Sequence, residues 1–230
     1  MRQIFLDTET TGLYAEQGDR IIEIGCVELV NRKLTGNNLH LYVNPGRDSH
    51  EEALKIHGIT TEFLLDKPQF AAVAQTFLDF VQDAEIIIHN APFDIGFLNV
   101  ELGLAGHAPF KDHVSAVVDS LAMAKEMFPG KRNGLDALCT RLDVDNSGRT
   151  LHGALLDAEL LADVYIRMTR GQDALLVEED SSSAAGSPLA RVDLRAFDLP
   201  VPPASLVEIA AHEEVLAQIA KSSGVHARWS

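Results

Sequence analysis

The sequence predicts an α/β layered domain in which helices pack around a mixed sheet, followed by a flexible linker and a short docking tail. Three observations carry this prediction. Apolar runs of strand length come first, near residues 2–8, 20–30 and 38–43. Helical periodicity then sets in, with Phe70, Val73, Ala74, Phe77 and Val81 at i, i+3, i+4, i+7 and i+11. Two further short apolar runs, Ile86-Ile87-Ile88 and Ala116-Val117-Val118, are interleaved with helical stretches.

Three strands in succession predict an antiparallel meander, whose second member, Ile21 to Val30, alternates with a slip at Gly25-Cys26. Pro68 stands at the expected start of the first helix. After the Ile86–Ile88 strand the pattern predicts a helix over 93–104. Beyond the strand at 116–118 it predicts helices over 120–128, 134–142 and 152–170. No internal repeat is evident. The α/β domain is assigned to residues 1–171.

Composition changes after Arg170. Glu178-Glu179-Asp180-Ser181-Ser182-Ser183-Ala184-Ala185-Gly186-Ser187-Pro188 is acidic and then small and polar, too poor in apolar area to order itself, so 178–204 reads as a flexible linker. In 205–230, Leu206, Ile209, Ala210, Val215, Leu216 and Ile219 fit a helix of modest amphipathicity, and the sole tryptophan, Trp229, lies at the far end. A large aromatic beyond a tether favours a docking tail over a frayed terminus.

With 230 residues, 46% hydrophobic, the chain can bury one sizeable core. It has no apolar run long enough to span a bilayer, and the approach to the first strand leaves no room for a secretory signal, so a cytoplasmic location is expected. Cys26 and Cys139 lie in apolar surroundings and read as reduced core thiols. The net charge of −15 has the wrong sign for gripping a polyphosphate by bulk electrostatics. The acidity is distributed as 15 basic and 25 acidic residues before Gly171, against 4 and 9 after it. Nucleic acid would therefore meet this chain over a few nucleotides at a metal site, with a partner supplying the main grip.

The chemistry lies in three segments. Asp7 and Glu9 end the first strand, and side chains at i and i+2 share a face. Two carboxylates held together resist joint ionisation unless a hard divalent cation joins them. Asp94 sits in the first turn of the helix after Ile86–Ile88; alone it reads as a carboxylate placed for the helix dipole. His152 and Asp157 are five residues apart, about 500° of helical rotation. They reach one site only if His152 lies at or before the first turn and swings back, with Gly153 as a flexible entry. Alone, His152 reads as a helix-entry residue and Asp157 as a solvated charge. Together the five fit phosphodiester hydrolysis. Asp7, Glu9 and Asp157 would hold one metal, Asp7 and Asp94 a second, and His152 would take the proton from the attacking water.

Asp7-Thr8-Glu9-Thr10-Thr11-Gly12, Asn90-Ala91-Pro92-Phe93-Asp94 and His152-Gly153-Ala154-Leu155-Leu156-Asp157 resemble the three motifs of the 3′–5′ exonucleases that carry Asp, Glu, Asp, Asp and a histidine. The sister branch has tyrosine one residue after the histidine position, where this chain has Gly153. Within the histidine branch, the whole chain is similar to the proofreading subunits of bacterial replicative DNA polymerases. The resemblance implies a ribonuclease H-like fold, two Mg²⁺ or Mn²⁺ ions and removal of mispaired 3′-terminal nucleotides as 5′-monophosphates. It also implies contacts of Asp7, Glu9, Thr10, Glu52, His57, Phe93 and Asp157 with the 3′ end of single-stranded or frayed DNA. From the residues alone, His57 reads as a helix-end cap, and Asp119 as a helix cap or a group supporting the site.

Residues 172–177, Gln172-Asp173-Ala174-Leu175-Leu176-Val177, resemble the peptides that enter a sliding clamp, led by Gln172, Leu175 and Leu176, with Val177 replacing the preferred aromatic. The tail, through Leu206, Ile209 and Trp229, resembles the segment that holds the polymerase catalytic subunit, and a small third subunit is a further implied partner. Two other readings stay open: an RNA-trimming 3′–5′ exoribonuclease of the same fold, and a non-catalytic adaptor between polymerase and clamp.

Overall fold

Strand β1 (Arg2–Thr10) is the middle of the sheet, and its alternation builds two cores at once. The computed structural model describes residues 1–149, 151–170 and 203–223. Ile4 and Leu6 point to one face, toward Phe70, Phe77, Phe97 and Leu98. Phe5 points to the other, toward Ala158, Leu161 and Tyr165; its ring meets that of Tyr165 edge-on at 5.4 Å. Strand β2 (Ile21–Val30) pairs antiparallel with β1, and β3 (Lys33–Tyr42) antiparallel with β2. Asn31 and Arg32 have φ of 49° and 62°, so two left-handed residues close the β2–β3 hairpin, as a two-residue turn between right-twisted strands requires.

The meander is followed by α1 (Glu51–His57), α2 (Thr61–Leu64) and α3 (Phe70–Val81). Strand β4 (Glu85–Ile88) then adds to β1 in parallel, α4 (Ala91–Leu104) packs on the sheet, and β5 (Ala116–Asp119) adds in parallel to β4. The sheet order is β3-β2-β1-β4-β5, the mixed five-stranded sheet expected, with helices on both faces. The helices α5 (Ser120–Met127), α6 (Leu135–Leu142) and α7 (Ala154–Thr169) complete the domain. A separate unit, Asp180–Ser230, contains α8 (Leu206–Ser223), on which Leu206 and Ile209 are exposed. Gln172, Leu175, Leu176 and Trp229 lie outside the described residues, as do 172–177 and most of 178–204. Among the described residues no helix is long and apolar enough to cross a membrane.

The structure departs from the sequence expectations in four places. β3 begins at Lys33, five residues earlier than predicted, because its first half is an exposed, polar edge with no apolar alternation to read. α1 and α2 are short; α1 buries only His57, so no periodic stripe announces it. α4 starts at Ala91, two residues early, with Pro92 in its first turn. α7 starts at Ala154, two residues late, leaving His152 ahead of the helix. Cys26 and Cys139 are buried free thiols, as expected.

One contact positions the site more than any other. A Cβ on Gly25 would lie 2.2 Å from the Ala154 carbonyl carbon and 2.3 Å from the Leu155 nitrogen, so the N-terminus of α7 rests directly on the β2 backbone. Glu23, two residues along β2, accepts a hydrogen bond from the Ala154 amide at 3.1 Å and satisfies one of the free donors of that helix end. The slip in the alternation at Gly25-Cys26 marks this close approach.

Candidate metal centre

Beyond Phe5, Asp7 and Glu9 continue along the face of β1 that looks toward α7. Thr8 faces the other way, and its hydroxyl donates to Asp94 Oδ1 at 2.7 Å. Asp94 is carried by the first turn of α4, which β4 enters through His89 and Asn90; Asn90, at φ 70°, takes the left-handed conformation that makes the turn abrupt. Asp157 sits in the first turn of α7, only 4% exposed, so it is a buried group and not a solvated charge.

His152 lies two residues before α7, and its Nδ1 is 3.4 Å from Asp157 Oδ2. The expected swing back into the site is therefore present, although Gly153 does not supply it as a flexible entry. Gly153 has an ordinary extended backbone (φ −149°, ψ 129°), and a Cβ there would meet nothing. What places the histidine is its own amide, which donates to the Ile56 carbonyl at the end of α1 (3.1 Å), together with the seat of α7 on Gly25.

One potential ligand atom from each of Glu9, His152 and Asp157 lies within 4.8 Å of the others. Asp7 and Asp94 join them electrostatically. Burial holds the Asp7 carboxyl well above its ordinary range, and Asp94, Asp157 and Glu9 raise it further. Glu9 is pushed up to about 8, by burial first and then by Asp157 and Glu23. Asp94 is raised by burial, against the Thr8 hydroxyl and backbone amides that favour its charged form. Carboxylates forced toward neutrality by burial and by one another, in a set of oxygen donors plus one imidazole, form a site that a hard divalent cation satisfies. The residues therefore fit a divalent cation.

Of the remaining predicted residues, Thr10 is buried and donates to the Gly12 carbonyl at 2.6 Å. Phe93 is half-buried against Phe97, ring centroids 5.0 Å apart. Glu52 is exposed on α1. His57 closes α1, its Nδ1 accepting from the Ile59 amide at 2.9 Å, while Nε2 is buried without a hydrogen-bond partner among the described residues. Burial also lowers the pKa of His57. Asp119 caps α5, accepting from the Leu121 and Ala122 amides.

Sequence reasoning missed two residues of the centre. Glu23 faces Glu9 across the β1–β2 ladder and is 2.6 Å from His40 Nε2. Arg149 pairs with Asp157 through two bonds of 2.5 Å. Its Nη2 is 2.8 Å from His152 Nδ1, and its Nη1 donates to Asp136 at 2.6 Å. The only signal for Arg149 was its position three residues before His152. Asp7, His89, Arg132, Asp136, Arg149, His152 and Asp157 are among the residues lining a cavity of 560 Å³ at the site.

Comparisons with known proteins show the family of the chain. The Exonuclease family (RNase_T) matches residues 4–165. The chain is 52% identical over 231 residues to DNA polymerase III subunit epsilon of Escherichia coli, covering 97% of this chain and 95% of that protein. It is 49% identical over 242 residues to the subunit of the same name from Haemophilus influenzae, covering 99% and 94%. Among solved structures, the nuclease domain of 3′hExo, a DEDDh family member bound to rAMP, superposes with a TM-score of 0.64 at 19% identity, over 74% of this chain and 92% of that one. Exonuclease X in complex with 5′ overhanging duplex DNA gives 0.58 at 24%, over 74% and 93%. These two show the shared fold. The chain belongs to the exonuclease family and, within it, to the epsilon subunits of DNA polymerase III.

Proposed function

We propose that this chain is a proofreading 3′–5′ exonuclease that removes mispaired 3′-terminal nucleotides from DNA as 5′-monophosphates within a replicative polymerase. The observation that carries this reading is the cluster of Glu9 and Asp157 beside His152, to which Asp7 and Asp94 are coupled electrostatically, in a chain about half identical to epsilon subunits over nearly its whole length.

Asp7, Glu9 and Asp157 would hold one divalent ion, and Asp7 with Asp94 a second. When bound, two Mg²⁺ or Mn²⁺ ions neutralise charge on the transferring phosphoryl group and assist both the attacking and the departing oxygen. His152, its side chain 45% exposed at the edge of the cluster, accepts a proton at Nδ1 from the attacking water. Thr8 keeps Asp94 oriented by its hydrogen bond. Thr10 at the end of β1, Glu52 and His57 at the two ends of α1 and Phe93 at the start of α4 would bind the terminal nucleotide, with Phe93 as an apolar surface for the base.

The tail of 205–230 would hold the polymerase catalytic subunit through Leu206, Ile209 and Trp229, and 172–177 would enter a sliding clamp through Gln172, Leu175 and Leu176. A small third subunit is a further proposed partner, and a cytoplasmic site of action follows from a role in replication. This division of labour accounts for the net charge of −15: the polymerase grips the DNA, and the exonuclease meets only its frayed end.

The test is hydrolysis of a mispaired DNA 3′ end beside hydrolysis of a short RNA, with Mg²⁺ or Mn²⁺. Release of dNMP is expected. Strong preference for RNA would support the RNA-trimming reading, and absence of digestion of any strand would support the non-catalytic adaptor. Asp7→Ala and Asp157→Ala should lose activity with metal binding. His152→Ala should keep metal and DNA binding but turn over on the order of 10²–10⁴-fold more slowly; equal loss of metal affinity would contradict the general-base role.

A further inference from the structure

The Arg149 side chain, 6% exposed, is buried in the middle of the site. Its Nε and Nη2 take both oxygens of Asp157, and Nη2 also reaches His152 Nδ1. A divalent ion bonds to carboxylate oxygen at about 2.0–2.6 Å, so an ion shared by Asp157 and its neighbours would compete for the space and charge now occupied by the guanidinium. The N–H directed at Nδ1 also occupies the lone pair with which His152 would accept a proton.

We propose that Arg149 is a built-in counter-cation, which holds Asp157 and His152 in the metal-free protein and leaves them when a divalent ion enters. The proposal rests on the metal reading above and deepens it. The charge of Arg149 opposes the mutual repulsion around Asp7 and Glu9. A divalent ion does the same with twice the charge and repels the guanidinium. The geometry provides an exit. Nη1 is tied to Asp136, whose side chain is 63% exposed on the first turn of α6, so Arg149 can pivot outward on that bond into the cavity it lines. Release then frees an Asp157 carboxylate for the ion and the His152 lone pair for the proton in one movement. A protein without its metal holds its base blocked.

The first test uses the full chain and the Nε–H resonance of Arg149 in ¹⁵N-resolved NMR, assigned by its loss in Arg149→Lys. In metal-free protein this proton should exchange slowly; on titration with Mg²⁺ it should shift toward the exposed arginines and exchange fast. The second is Mn²⁺ binding by calorimetry at pH 8. Arg149→Gln should bind about tenfold more tightly than the parent, the scale of losing one charge-assisted bidentate competitor. Arg149→Lys, which keeps the charge but not the fork, should fall between the two. An unchanged Nε–H signal at Mg²⁺ saturation, or weaker Mn²⁺ binding by both folded variants, overturns the proposal: Arg149 would then brace Asp157 in the loaded site as well. Absence of any binding heat in the parent would instead overturn the metal reading itself.

Discussion

Gly25→Ala is the sharpest perturbation the fold offers, because it changes one methyl group and touches no functional side chain. The added Cβ would meet three backbone atoms of Ala154 and Leu155 at 2.2–2.4 Å, where ordinary contact begins at 3.4 Å, so strand and helix must part by about 1.2 Å. Backbone cannot rotate out of the way as a side chain can, so the cost lies at the upper end of the overpacking range, about 3 kcal/mol. In a domain of this size that lowers the melting temperature by about 6–12 °C. The same displacement carries Asp157 and His152 away from Asp7 and Glu9, and a misplacement of about 1 Å at a reacting centre costs on the order of 100-fold in rate. The assay is single-turnover release of the 3′-terminal nucleotide from a single strand with saturating Mg²⁺, beside thermal unfolding. Gly96→Ala is the control: Gly96 lies within α4 with nothing within 4 Å of a Cβ, and alanine there should be neutral or stabilise by about 0.5–1 kcal/mol. Parental rate and melting temperature in Gly25→Ala, or equal losses in the two variants, would refute the claim that α7 is seated on this glycine.

Other expectations follow from the site. Glu9 has its carboxyl raised from 4.5 to about 8, so the stability from its neutral form is fully present below about pH 4.5 and is lost as pH rises through 8. Metal-free protein should therefore melt at progressively lower temperature from about pH 5 to 8, while saturating Mg²⁺ flattens the profile; a metal-free profile that rises over this window contradicts a carboxyl raised by burial. Thr8→Val removes a bond that favours the charged form of Asp94, so Mn²⁺ affinity at pH 7 should weaken several-fold, the scale of about 1 kcal/mol; unchanged affinity would show that the hydroxyl does not tune this carboxylate. Deleting 181–230 should leave hydrolysis of single strands intact and abolish capture of the polymerase catalytic subunit. A complex that survives the deletion would move the docking surface onto the catalytic domain.

Much of the centre was legible because strand geometry is local. Asp7 and Glu9 share a face by alternation alone, and the unmistakable strand around Phe5 fixed that face. Asp94 and Asp157 were visible only as members of a set, since neither has a local pattern separating a ligand from a helix-end carboxylate. Arg149 was out of reach: it stands in the non-periodic segment between α6 and α7, and its role depends on a turn that no apolar spacing encodes. Glu23 was hidden differently, because its partner, the Ala154 amide, lies 131 residues away along the chain. The edge strand β3 was judged too short, and α1 was marked only by His57 as a helix-end cap, for a shared reason: both are mostly solvated and neither leaves an apolar signature.

The hydrogen bond from the His152 amide to the Ile56 carbonyl ties the proposed proton acceptor to the helix proposed to read the terminal nucleotide. A shift of α1 would therefore act on His152 through a main-chain link that side-chain substitution cannot cut. Seating of the 3′ end and placement of the proton acceptor would then be set by one and the same backbone contact.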